Sequence, residues 1–159
     1  MGGLRERVSY APVRHRWRTL RGSPGASAEA TDMSDGSWLL YPWFEEDGAS
    51  LVHADDLAAF RKLSPYGKVF QWVEEEADWT VIAYGEQRFR VRPSLAMPVA
   101  APSFRVGQTV LVRRHQRAAR IVEVQWHYLR ERPFFLVEAA GRRVKTRYWA
   151  EDLEAPVGP

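Results

Sequence analysis

The residues from Phe104 to Leu153, FRVGQTVLVRRHQRAARIVEVQWHYLRERPFFLVEAAGRRVKTRYWAEDL, constrain the fold more than any other part of the chain. Four apolar runs are divided by short polar or Gly/Pro breaks, a pattern that closes into a small antiparallel barrel. The first run is Thr109 to Arg114. In the second, Ile121 to Leu129, period two places Val122, Val124, Trp126 and Tyr128 on one face and Glu123, Gln125 and His127 on the other. The third, Phe134 to Ala139, is apolar on both faces and is expected to be a central strand covered on both sides. Gly141 supplies a tight turn. The fourth, Val144 to Trp149, turns Val144, Thr146 and Tyr148 inward and Arg143, Lys145 and Arg147 outward, with a short helical turn over Ala150 to Leu153.

Upstream, Trp38 to Phe44 (WLLYPWF) is apolar but broken by Pro42, which suits an edge strand or a strand followed by a covering segment. A turn over Glu45 to Gly48 leads to HADDLAAFRKL. There Asp55 can cap a short helix over 55–63, Asp56 favours its positive end, and Leu57, Phe60 and Leu63 share a face. Ser64-Pro65 ends it. Lys68 to Val73, Trp79 to Tyr84 and Arg88 to Val91 read as three further strands, with an acidic tip over Glu74 to Asp78 and a turn at Gly85. RFRVRPSLAMPV at 88–99 aligns with RVKTRYWAEDLEAPV at 143–157 once three residues are inserted after Arg92, and Gln71-Trp72 recurs as Gln125-Trp126.

With Gly107 in a turn before the first strand of the 104–153 stretch and Asp-Leu after its last, that stretch resembles the SH3-like barrels of the Tudor and KOW type. The resemblance covers about a third of the chain and implies a binding module, because such barrels bind peptides, methylated side chains, nucleic acids or neighbouring domains. The combination HADDLAAF, SPYGKVF, YGEQRFRVRP, VQWHY and RYWAEDL also resembles a set of small uncharacterised bacterial proteins, over about Trp38 to Leu153, and implies no activity. The expected fold is mainly β: two small SH3-like units, 33–100 with the helix and 101–159, joined by PVAAPSF at 98–104. Residues 1–32, Arg-rich and then GSPGASAEATD, have linker composition. They read either as a disordered basic tail or as an extension upstream of a start at Met33.

With 45% hydrophobic and 13% aromatic residues, including seven tryptophans, the chain can bury a core. It has no Cys, which excludes disulfides, thiolate metal sites and a Cys nucleophile. No apolar run reaches the roughly 18 residues that span a bilayer. The expected compartment is the cytoplasm. The formal charge of +3 is unevenly distributed: six basic and three acidic residues in 1–32, six and eleven in 33–100, eleven and six in 101–159.

His15, His53, His115 and His127 are scattered, and His53-Ala54-Asp55-Asp56 lacks the further ligands that a metal needs, so neither metal nor cofactor is expected. No Ser stands in a nucleophile elbow and no Gly motif cradles phosphate, so no reaction is expected. Trp126, Tyr128, Phe134 and Tyr148 lie where Tudor-like modules carry an aromatic cage, but alternation turns most of them into the core and leaves His127 and Trp149 outward. The sharper candidates are two basic stripes, Arg88/Arg90/Arg92 and Arg143/Lys145/Arg147, with Arg113, Arg114, Arg117 and Arg120 nearby. Cations aligned on a strand repel unless the chain's own acids or an anionic partner offsets them. The expectation is a non-enzymatic binding module that engages a protein through this charge-asymmetric surface, one form being an inhibitory partner of an enzyme or toxin. The alternative is a nucleic-acid binder using the stripes.

Overall fold

The computed structural model describes residues 37–157. The expectations for 1–32 and for a boundary at Met33 lie outside the described residues. The protein is mainly β, with two five-stranded antiparallel sheets and one α-helix among the described residues. The first sheet comprises β1 (Trp38–Leu40), β2 (Val69–Glu76), β3 (Trp79–Tyr84), β4 (Gln87–Val91) and β5 (Met97–Val99), in the order β4-β3-β2-β1-β5. The helix, α1 (Leu57–Leu63), precedes β2. The second sheet comprises β6 (Thr109–Val112), β7 (Arg117–His127), β8 (Arg132–Ala139), β9 (Arg142–Arg143) and β10 (Leu153–Glu154), in the order β10-β6-β7-β8-β9. In each sheet the fifth strand returns beside the first, after a 3-10 turn at Pro93–Leu95 or Ala150–Asp152.

Alternation along β1 and β2 explains how the two sheets share an interior. Leu39, Phe70 and Trp72 pack into one core with Phe60, Ile82 and Phe89, while Leu40 and Val69 pack into the other with Ile121, Val124, Trp126 and Phe135. Strands covered on both faces need apolar residues on both, which is why WLLYPWF has no polar side. Backbone bonds tie the sheets as well: the Trp126 N–H donates to the Gly67 carbonyl at 2.7 Å, and Lys68 bridges Gln125. Each large side chain so buried contributes about 1.5–3 kcal/mol.

Several expectations need correction. β1 lies inside its sheet between β2 and β5, which overturns the edge-strand alternative for 38–44 and leaves the other, a strand followed by a covering segment, with Tyr41 and Trp43 packed on the first core. Asp56, rather than Asp55, occupies the helix N-cap, and its carboxylate is turned to Arg90 instead of the helix N–H groups. In β7 the expected inward facing holds for Val124 and Trp126 but breaks at Val122, because the register shifts between Ile121 and Glu123. Ala119 and Ile121 are buried before that bulge and Val124 and Trp126 after it, leaving Val122 only half-buried. The expected fourth strand, Val144 to Trp149, does not form: β9 lies just ahead of it, the run keeps a single bridge from Tyr148 to Phe135, and Thr146 is exposed. Arg143, Lys145 and Arg147 therefore do not share a strand face. Five hairpin loops carry positive φ: Ala77 between β2 and β3 (53°), Gly85 between β3 and β4 (62°), Gln116 between β6 and β7 (54°), Glu131 between β7 and β8 (50°), and Ala140 and Gly141 between β8 and β9 (50° and 73°). At Gly85 a Cβ would also stand 3.0 Å from the Val106 side chain. None of the described helices is long and apolar enough to cross a membrane.

Candidate functional site

The arginines of β4 face the first sheet's own acids and rings. Asp56 accepts from the Arg90 backbone N–H and Nε, both at 2.9 Å, and from Nη2 at 3.3 Å. Burial opposes ionisation of Asp56, but the bonds from Arg90 outweigh it and hold the carboxyl below its usual range. The Arg92 guanidinium lies 4.0 Å from the Trp79 ring centroid and donates to the Asp78 carbonyl at 2.8 Å. Arg88 is exposed. His53 sits edge-on to Trp79 at 5.2 Å and accepts the Asp55 N–H at Nδ1 (3.1 Å).

Arg143, the first residue of the other stripe, turns to the junction of the two sheets. Its Nη2 is 2.6 Å from Glu123 Oε2, which also accepts from Gln125 Nε2 at 2.6 Å, and Lys68 Nζ is 3.5 Å from Glu123 Oε1. Burial pushes against the ionised Glu123, yet Arg143 and Lys68 prevail and its pKa is lowered. Beneath it the Tyr84 hydroxyl accepts the Val124 N–H at 2.9 Å and is driven above the ordinary tyrosine range by burial. This ion cluster joins residues far apart in sequence and organises structure between the sheets.

A different assembly forms around Trp149, where the β7–β8 hairpin meets the segment ahead of the Ala150–Asp152 turn. The Trp149 N–H donates to Asp152 Oδ2 at 2.8 Å, which fixes the residue at the turn's start. Its half-buried indole lies 5.4 Å from His127 and 6.2 Å from Phe134, each edge-on. The guanidinium groups of Arg132 and Arg130 stand 4.3 and 5.3 Å from the indole, and Arg147 stands 5.0 Å from the Phe134 ring. Arg132 also pairs with Glu151, whose pKa that bond lowers. The same hairpin end exposes Leu129, 90% accessible. The result is a surface with aromatic rings at its centre and cations around it.

Of the residues singled out from sequence, His127, Trp149 and Arg147 come together here. Arg88, Arg90 and Arg92 lie on the first sheet, Arg143 joins the buried cluster, and Lys145 is exposed. Phe134, named among the cage aromatics, is buried beside Trp149, whereas Arg130 and Arg132 were missed as members. Their signal was a basic hairpin tip between two apolar runs, LRERPFF at 129–135. Among the described residues no three His, Cys, Asp or Glu side chains are grouped as a metal would need.

Two five-stranded antiparallel sheets, with an arginine-framed aromatic cluster at one hairpin end, define a mainly β protein. A model of a family of unknown function, DUF6960, matches residues 32–154, and the chain belongs to that family. No curated protein and no solved structure matches it.

Proposed function

We propose that the protein is a non-enzymatic, cytoplasmic binding module made of two SH3-like units in tandem, engaging a protein partner through the arginine-framed surface around Trp149. The shared strand order of the two sheets, each with a 3-10 turn before its last strand, supports the tandem reading. The observation that carries the binding reading is the grouping of Trp149, His127 and Phe134 with Arg130, Arg132 and Arg147 at a hairpin end beside an exposed leucine. Trp and Arg dominate the residues that hold protein interfaces together, because large rings and planar guanidinium groups gain much contact per immobilised side chain. A partner with an acidic face fits it, as an enzyme or toxin held by an inhibitory partner would.

Nucleic acid is the second reading, favoured by the same rings and arginines acting as a stacking platform. Against it, Arg90, Arg92 and Arg143 of the basic stripes already have partners within the chain, and the chain's 20 acids repel a long polyanion. Capture from native lysate with and without nuclease, using wild type and Trp149→Ala, separates the two. The protein reading expects one specific partner that survives nuclease and is lost with Trp149→Ala. Retention dependent on nucleic acid, with log affinity falling linearly in log salt, would overturn it.

A further inference from the structure

A cleft of about 530 Å³ opens between the two sheets, away from Trp149, where the C-terminal end of α1 and the β3–β4 turn face β7. Its volume is that of a small-molecule site, but its walls are polar and charged, which suits a charged ligand. Lys62, Lys68 and Arg120 line it together with Glu86 and Glu123. Three cations thus line it against two carboxylates, and Arg143, outside the cleft, pairs with one of these, Glu123.

The decisive residue is Lys68. Its side chain is only 10% exposed, yet it lines the cleft, and its ammonium meets Glu123 Oε1 at 3.5 Å and the Tyr84 ring at 5.8 Å. An ammonium carries three donors, and a buried charge with unmet donors is costly unless a further acceptor reaches it. Glu123 cannot serve Lys68 fully, because its other oxygen is held at 2.6 Å by both Arg143 and Gln125. Lys62 and Arg120 are exposed at the rim, where they would meet the outer part of a ligand.

We propose that this cleft binds a small anionic molecule whose phosphate or carboxylate group accepts from the Lys68 ammonium, with Arg120 and Lys62 completing its charge. This site is independent of the surface around Trp149. The test titrates the full chain with sodium phosphate and with sodium citrate against sodium chloride at equal ionic strength, following the melting temperature. The expected result is a saturating rise with one probe beyond that in chloride, and an affinity about tenfold or more weaker in Lys68→Met, the loss of one charge-assisted bond. Which probe gives it distinguishes phosphate from carboxylate recognition. No rise beyond chloride with either, or the same affinity in Lys68→Met, overturns the proposal. If Lys68→Met does not fold, Arg120→Gln at an exposed position serves instead, and an affinity equal to wild type then overturns it.

Discussion

Two basic stretches that align in sequence, 88–92 and 143–147, are used differently in the fold. On β4 the alternation is regular, Phe89 and Val91 enter the first core, and Arg90 and Arg92 are locked onto Asp56 and Trp79. In the second stretch only Arg142 and Arg143 pair as strand. Arg143 then turns to Glu123, while Arg147 swings to the Phe134 ring near Trp149. Similar patterns of charge thus become internal supports at Arg90, Arg92 and Arg143 and a contact near Trp149 at Arg147, because the acid or ring that an arginine meets is set by the fold.

The difference can be broken most forcefully at the sheet junction. Glu123→Gln removes the negative charge shared by Arg143 and the buried Lys68 and one of its two acceptor oxygens, and is expected to cost about 3–5 kcal/mol in urea unfolding, as when a buried ion pair loses one member. A cost below about 1 kcal/mol, the value of a surface pair, would show that the cluster is solvated.

Arg90→Ala leaves the largely buried Asp56 carboxylate without its partner and is expected to cost about 1.5–3 kcal/mol. Arg147→Ala removes only a ring contact at an exposed position and should cost about 1 kcal/mol or less. Equal costs would erase the distinction between the two stretches.

Acid sharpens the same comparison. The Asp56 pKa is depressed by folding, so its contribution is complete above the ordinary carboxylate range and is lost as pH falls below about 4. Unfolding of Asp56→Asn between pH 7 and pH 3 should therefore show a smaller loss than wild type. An identical loss would mean that the Arg90 pair does not contribute. Arg88→Glu, on the same strand but exposed, should shift stability by no more than about 0.5 kcal/mol.

Much of this fold was legible from alternation and turn residues. Trp79–Tyr84 matches its expected strand, and the short helix and the turn at Ala150–Asp152 lie within a residue or two of expectation. The apolar WLLYPWF was ambiguous because a strand at an edge and one buried between two cores both lack polar positions. In β7 the inward facing of Val124 and Trp126 is as expected, and only Val122 departs from it, because the bulge between Ile121 and Glu123 puts one extra residue there. The Lys68–Glu123–Arg143 cluster had no sequence signal, since its members lie on three strands or strand ends separated by long stretches of chain. Trp149 and His127 were found as outward aromatics; the arginines that frame them depend on how the hairpin end docks.

The central claim, that Arg90 supports the fold while Arg147, with Arg130, frames the proposed binding surface, is tested most directly by a paired measurement. Arg90→Ala and the double variant Arg130→Glu/Arg147→Glu are each assayed for unfolding free energy and for capture of the nuclease-resistant partner. The account predicts that Arg90→Ala loses stability but keeps the partner, while the double variant keeps its stability to within about 1 kcal/mol and loses the partner. Partner binding that survives the double charge reversal, or vanishes in a still-folded Arg90→Ala, would contradict it.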